Sequence, residues 1–178
     1  MGKGIIRFSF VAAVVLALVL GGTGVSRAIK IREGQPGDLE VVFGAVKPVF
    51  EKGEAINFKV TGNRDFYLYL FCIDKASNKG YLLLPNDKSP DNLFTGGLEY
   101  TLPGGNIEFY SDKVGTEKIV MVASTVKLNL ETSQYSKAGS FFQGTDEEME
   151  QSIKSLRVRE KEDRQQVFKE IDLVIVGD

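Results

Sequence analysis

The densest cluster of oxygen-bearing side chains in this chain consists of Asn86, Asp87, Asp91 and Asn92. Carboxylate and amide oxygens are ligands that calcium favours, so the cluster is a candidate metal or ligand site. Its spacing lacks the alternating acids, central glycine and closing glutamate of an EF-hand loop. Asn and Asp also form turns by bonding to their own backbone. The turn interpretation is favoured, and the four residues are kept as candidate binding residues with the metal unspecified.

Histidine is absent from the chain, and this bears directly on catalysis. Histidine is the usual general base near neutral pH and a frequent metal ligand, so Ser-His-Asp and Cys-His catalysis and the usual zinc sites are excluded. A Ser–Lys pair would need a buried lysine, whereas the three close pairs lie in polar segments: Ser77/Lys79, Ser111/Lys113 and Ser152/Lys154. Paired carboxylates for glycoside cleavage depend on the fold and stay open. We predict no catalytic residues and no cofactor.

The single cysteine, Cys72, lies in an entirely apolar run over residues 66–73. It alternates with Leu68 and Leu70, which places it on one face of a strand. A buried thiol behaves as a small hydrophobic group and is unreactive. One cysteine cannot form an internal disulfide, so the fold depends on its core.

Phe141 and Phe142 form an aromatic pair between Gly139 and Gly144. The pair comes just before a predicted helix, so one ring is expected to pack against that helix in the manner of a hydrophobic staple. The other ring, if exposed, is a candidate partner contact. Most other aromatic residues are predicted to fill the interior.

The predicted helix begins at Thr145, where Thr145 and Glu148 have the spacing of a capping box. Met149, Ile153 and Leu156 follow at intervals of three and four residues and form one apolar stripe. Elsewhere two-residue alternation dominates, which is typical of strands. Strands are predicted at residues 39–43, 54–61, 66–73, 81–84, 99–102, 107–110, 118–124 and 170–176. The fold class is therefore mainly β: an antiparallel β-sandwich, immunoglobulin-like or similar, with one late amphipathic helix.

The N-terminus has the pattern of a secretory signal. Lys3 and Arg7 precede an apolar run over residues 8–20, and Ser26 and Ala28 place small residues at a cleavage site. Residues 1–28 are predicted to be a cleavable signal peptide and residues 29–178 a single β-sandwich-type domain. The expected location is periplasmic or extracellular, with membrane contact only through the signal peptide before cleavage.

Charge argues against nucleic acid as a ligand. The chain has 22 Lys and Arg residues against 24 Asp and Glu residues. Lys3, Arg7 and Arg27 leave with the signal, so 19 basic residues remain against 24 acidic ones, a net charge of −5. Nucleic acid attracts basic faces, so no such partner is predicted.

Several short motifs in one order resemble a bacterial family of exported domains, domain-of-unknown-function family 4384. The matching motifs are Gly53-Glu54-x-Ile56-x-Phe58-x-Val60, Asp65-Phe66-Tyr67-Leu68-Tyr69-Leu70, Leu83-Leu84-Pro85-Asn86, Pro90-Asp91-Asn92 with Gly96 or Gly97, Leu102-Pro103, and Gly115-Thr116-Glu117 before Ala123-Ser124. They cover roughly residues 45–130, and the closing apolar strand extends the resemblance toward residue 178. The resemblance implies a β-rich exported module, in some members an accessory to peptidases or kinases, with no catalytic residues to transfer.

These observations predict an exported, non-catalytic accessory or binding module of the bacterial cell envelope that binds a partner protein. The loops around residues 86–97 and 133–144 and an open sheet edge are the expected contact regions. The alternative is a calcium- or carbohydrate-binding module, and a histidine-free hydrolase comes third.

Overall fold

The computed structural model describes residues 37–157 and 164–177, which form eleven strands and one helix. The predicted signal peptide and its cleavage site lie outside the described residues. The elements are β1 Val41–Ala45, β2 Val49–Glu51, β3 Phe58–Gly62, β4 Phe66–Asp74, β5 Lys79–Leu84, β6 Leu93–Phe94, β7 Glu99–Leu102, β8 Gly115–Ser124, β9 Ser136–Ala138, β10 Phe141–Gly144, α1 Asp146–Arg157 and β11 Gln166–Val176.

The strands form two sheets of unequal size. The small sheet has the order β1-β3-β7, and the large sheet has the order β2-β11-β8-β4-β5-β10-β9, with β6 pairing with β4. A shared apolar core joins the two sheets, and Phe43, Phe58, Leu68 and Met121 are among its buried members. The prediction of a mainly β fold with one late helix is confirmed.

Strand β4 is central and covered on both sides, as its unbroken apolar sequence predicts. Phe66, Leu68, Leu70 and Cys72 face the core between the sheets. Tyr69, Phe71 and Ile73 face a second core on the outer side of the large sheet. The large sheet therefore forms the middle layer of the described fold.

Helix α1 covers that outer side. The Thr145 amide donates to Glu148 Oε2 at 2.9 Å, and the Glu148 amide donates to Thr145 Oγ1 at 3.2 Å, so the predicted capping box is present. Met149, Ile153 and Leu156 are buried in the second core. Tyr135 and Leu128 complete this layer.

Three departures from the predicted strands have physical reasons. β2 and β11 pair in parallel, which is possible because most of the domain separates them in the chain and no tight turn is needed. Residues 107–110 do not form a strand: only Phe109 pairs, in an isolated bridge with Ile56. β2, β6 and β9 were not predicted because two or three residues are too few to show a period, and β10 was not predicted because its sequence, Phe-Phe-Gln-Gly, does not alternate.

Candidate functional site

A pocket opens between the two sheets at the end of β3 where Phe58 lies. The three-stranded sheet is narrower than the sheet it faces, so part of the inner face of the large sheet is covered by the loop after β7 instead. Residues 108–113 of this loop form one wall, and residues of β4, β5 and β8 form the opposite wall. The cavity has a volume of about 290 Å³.

Aromatic rings line much of this cavity. Phe58, Phe109 and Phe141 form a chain of tilted contacts, with ring centroids 6.2 Å apart for Phe58 and Phe109 and 5.9 Å apart for Phe109 and Phe141. Tyr81 lies on the inner face of β5, and Tyr110 is 63% exposed on the loop. The cavity thus combines a fixed apolar floor with an exposed ring at its border.

A β-bulge in β5 helps to shape this wall. The register between β4 and β5 shifts at Leu70/Phe71, so that Leu70 pairs with Leu84 while Phe71 pairs with Leu82. Leu83 is the extra residue, and both Leu83 and Leu84 pack toward the core between the sheets. The side chain of Leu83 thereby lines the cavity.

The lining also contains four carboxylates, those of Asp74, Glu108, Asp112 and Glu117. It contains one ammonium group, that of Lys113. Lys113 Nζ lies 4.0 Å from Asp74 Oδ2. Ser77 donates to the same carboxylate through both its backbone amide and its hydroxyl. Glu108 and Asp112 are exposed on the loop, and Glu117 is half-buried at the start of β8.

Glu117 accepts hydrogen bonds from two neutral groups inside the cavity. The Ser111 hydroxyl donates to Oε1 at 2.5 Å, and the Cys72 thiol donates to Oε2 at 3.4 Å. The Ser111 carbonyl accepts from the Gly53 amide at 2.8 Å, which holds the loop in place. Glu117 is thus fixed in orientation without a cationic partner among the described residues.

Two pKa shifts describe the electrostatics of the cavity. Burial raises the pKa of the Cys72 thiol well above its ordinary value of 9.0, and the neighbouring Glu117 carboxylate adds to the effect. Burial also raises the pKa of Tyr81, with further contributions from Cys72, Asp74, Glu117 and Asp112. The thiol is therefore protonated near neutral pH, in keeping with the predicted unreactive cysteine.

In each of the three Ser–Lys pairs, the serine hydroxyl bonds to a residue other than its lysine. Ser111 donates to Glu117 while Lys113 Nζ approaches Asp74. Ser77 bonds to Asp74, and Ser152 bonds to the Tyr135 hydroxyl. Among the described residues, no hydroxyl in these pairs bonds to the ammonium group of its own pair.

The predicted cluster at residues 86–92 forms a turn-rich loop, as the favoured interpretation expects. Asn86 Oδ1 accepts from the Lys88 and Ser89 amides at 2.8 Å, and Asn86 Nδ2 donates to the Leu83 carbonyl at 2.6 Å. Asp91 Oδ1 accepts from the Leu93 amide at 3.1 Å.

Asn92 is also committed to the backbone: it is buried and donates to the Leu68 carbonyl at 2.9 Å. Asp87 is exposed and pairs with Lys137 at 2.6 Å. The side-chain oxygen of Asn86 thus accepts two backbone hydrogen bonds, and one carboxylate oxygen of Asp91 accepts one.

Phe141 and Phe142 are both half-buried and project to opposite sides of β10. Phe142 packs against the outer core that includes α1, and the Lys137 ammonium lies 3.5 Å from its ring centroid. Phe141 packs into the inner core and lines the cavity between the sheets. The expected contact with the helix layer is thus present for one ring, while the second ring enters a pocket.

The six predicted site residues are divided between places. Asn86, Asp87, Asn92 and Phe142 line a second, shallow pocket of about 440 Å³ near β10. Phe141 lines the cavity between the sheets, and Asp91 lines neither. Four of the six predicted residues therefore lie together at the second pocket, and Phe141 lies at the cavity between the sheets.

Sequence reasoning missed Glu108, Ser111, Asp112 and Glu117 as site residues. A signal for Glu117 was present, since it precedes Ile119 and Met121 in two-residue steps and so lies on the inward face of β8. A carboxylate in an inward row is unusual and marks a candidate site. The loop residues carried no such signal, because their position depends on the unequal widths of the sheets.

No three acidic or cysteine residues within residues 37–157 and 164–177 lie close enough together to hold a metal ion. Within the same part of the chain, no helix has the length and apolarity needed to cross a bilayer.

Comparison with known families gives one match. Residues 49–127 match the family model described as a domain of unknown function (DUF4384). The resemblance inferred from the ordered motifs is thereby confirmed over this range, which contains β2 to β8 and the loop that lines the cavity. No curated protein and no solved structure gives a significant match to the chain.

Proposed function

We propose, on the premise that residues 49–127 are a domain of this family, that the chain is an exported, non-catalytic binding module of the cell envelope whose ligand is a partner protein. The cavity between the sheets is the observation that carries the proposal. It is concave, has a largely apolar lining and contains a few fixed polar groups, which are the usual features of a binding pocket.

The chemistry of the cavity favours binding over a covalent reaction. Its thiol is held protonated, and the Ser111 hydroxyl donates to a carboxylate and forms no hydrogen bond with a basic side chain among the described residues. A protonated thiol is a poor nucleophile. What these groups can do is orient a bound segment.

Site-specific photo-crosslinking in the native cell tests this proposal. A photoreactive residue is placed at Tyr110, on the border of the cavity, and separately at Val42, which is 71% exposed on β1. We expect one discrete protein adduct from position 110 and none from position 42. Equal labelling at both positions, or none at position 110 in folded protein, would count against the proposal. Fractionation of the same cells tests export, and an intact precursor in the cytosol would contradict it.

A carbohydrate ligand is the second candidate, favoured by the exposed Tyr110 ring beside polar side chains. Aromatic faces with neighbouring polar groups suit sugar rings. A glycan-binding screen with a Tyr110→Ala control separates the two candidates. Binding of a glycan that is lost in the variant would favour the second.

A further inference from the structure

The cavity between the sheets has the size of a single side chain or a small molecule. Small-molecule sites usually measure about 300–1,000 Å³, and this cavity, at about 290 Å³, lies at the lower limit. A whole strand or helix of a partner does not fit inside it. A partner segment would instead insert one long side chain.

The charges around the cavity select the type of side chain. Asp74 already has Lys113 at 4.0 Å and the Ser77 donors. Glu108, Asp112 and Glu117 form no ion pair with any other residue that the structure describes. The cavity therefore carries an excess of negative charge, which repels an acidic group and attracts a cation.

Glu117 is the most informative of these carboxylates because it is half-buried and held by neutral donors. A carboxylate withdrawn from water without a cation has lost hydration that a bound cation restores. Charge-assisted hydrogen bonds to such a group are short and strong. Glu117 therefore provides a fixed, half-buried anchor in the lining of the cavity.

The aromatic walls complement this anchor. Tyr81, Phe109 and Phe141 supply apolar surface, and ring faces attract cations. The raised pKa of Tyr81 reflects both its burial and the surrounding carboxylates. A long aliphatic stem ending in a positive charge matches both halves of the lining.

We propose that the cavity binds a basic side chain of the partner segment, Arg or Lys, with its stem against the aromatic walls and its charged end at Glu117. This inference rests on the proposed function, since it names the feature of the partner that the binding module recognises. Each Glu117 oxygen accepts one hydrogen bond from a neutral donor and keeps a second lone pair for a bound cation. Arg is the stronger ligand of the two, because its planar guanidinium presents several donors to a carboxylate and can stack on a ring.

A pair of isosteric probes tests the charge. N-acetyl-arginine methylamide and N-acetyl-citrulline methylamide have similar shapes, but only the first is cationic. We measure binding of each to the purified protein by NMR titration and calorimetry at low salt. The arginine probe is expected to bind at least about tenfold more tightly, and the difference should shrink as ionic strength rises.

Two sets of variants locate the effect. Glu117→Gln keeps an oxygen acceptor for Ser111 and is expected to lower the affinity for the arginine probe about tenfold. Glu108→Gln/Asp112→Asn changes only exposed loop positions and is expected to lower the affinity for the arginine probe about threefold. This variant still tests the proposal if Glu117→Gln does not fold. The control, Glu40→Gln/Glu99→Gln, removes two exposed carboxylates at the opposite end of the small sheet, one of which pairs with Lys59 at 2.7 Å, and should leave binding unchanged.

The outcomes separate this inference from the proposed function. Three results would each overturn the proposal that the cavity binds a basic side chain. They are equal binding of both probes, no binding of the arginine probe, and arginine binding that neither Glu117→Gln nor the loop variant changes. A crosslinked partner at position 110 would still support the binding module in those cases. If position 110 gives no crosslinked partner and the arginine probe does not bind, both proposals are wrong.

Discussion

The Ser111 hydroxyl donates a hydrogen bond of 2.5 Å to the Glu117 carboxylate and so ties the loop after β7 to the start of β8. Without this contact, the loop would be held to the rest of the domain chiefly by the Ile56–Phe109 bridge and the Gly53–Ser111 backbone bond. The contact positions one wall of the cavity and orients its central carboxylate. Stability and site geometry are therefore coupled at this pair.

Replacing Ser111 with alanine should lower the free energy of unfolding by about 1–3 kcal/mol. The change removes a hydrogen bond to a half-buried carboxylate and leaves one oxygen without its donor. Urea denaturation followed by circular dichroism measures the effect. Ser136→Ala is the control: its exposed hydroxyl donates to the Gln143 carbonyl at 3.0 Å, and loss of this solvent-exposed bond should change stability by less than about 0.5 kcal/mol. Equal losses in the two variants would contradict this role for Ser111.

The raised pKa of Cys72 predicts a loss of stability at alkaline pH. Because the folded protein holds this proton more tightly than the unfolded chain, the stabilisation is complete below the ordinary value of 9.0 and is lost as pH rises above it. We expect the free energy of unfolding to fall over about pH 9–10.5 and to fall less steeply in Cys72→Val. Urea titrations at a series of pH values give both slopes.

Tyr81→Phe serves as the control for that experiment, since the pKa of Tyr81 is also raised, from an ordinary value of 10.0. In this variant the fall in unfolding free energy caused by Cys72 should remain, and the further fall at higher pH caused by Tyr81 should be absent. An identical slope in wild type and Cys72→Val would show that the thiol is not the source. A thiol reagent offers a second readout: the native thiol should react much more slowly than the unfolded one.

The capping box at the start of α1 gives a third prediction. Thr145→Ala should cost about 1 kcal/mol, because the Glu148 amide loses its acceptor at the helix start. Thr145→Ser keeps the hydroxyl and should restore most of the stability. Glu148→Ala checks the reciprocal bond, because it leaves the Thr145 amide without its acceptor. Unchanged stability in Glu148→Ala would argue against that bond.

Gly96 and Gly104 form a matched pair for a fourth prediction. A Cβ atom added at Gly96 would lie 2.3 Å from Arg64 Cα and 2.4 Å from the Arg64 carbonyl carbon. Backbone atoms cannot move aside cheaply, so Gly96→Ala should destabilise the fold by about 3 kcal/mol. A Cβ at Gly104 meets no atom of residues 37–157 or 164–177 within 4 Å, and Gly104→Ala should cause no loss of stability. Thermal denaturation compares the two, and similar melting temperatures would refute the packing argument.

Long-period patterns made the principal elements predictable from the sequence. The unbroken apolar run of β4 indicated a strand covered on both faces, and the spacing of Met149, Ile153 and Leu156 indicated one buried helix face. Both follow from local geometry, in which the period of burial equals the period of the backbone. Asn and Asp likewise indicated the turn at residues 86–92 because their side chains bond locally.

The cavity was not predictable in the same way. Its residues come from distant parts of the chain, such as Cys72, Ser111 and Glu117, and they meet only because the sheets differ in width. Phe141 shows the same limit: the pair of rings was noted, but the side that each ring faces is set by the pairing of β10 with β5. Pairing between distant strands has no local pattern in the sequence.

The parallel contact between β2 and β11 has a consequence for how the protein is made. Val49 pairs with Val174, and β11 lies between β2 and β8 in the large sheet. Residues 49–127 by themselves would lack an internal strand, leaving the flank of β8 open to association with other chains. The sheet cannot close until residues 166–176 have been synthesised, and such long-range pairing is slow. Until β11 is available, β2 and β8 stay unjoined and the large sheet is incomplete.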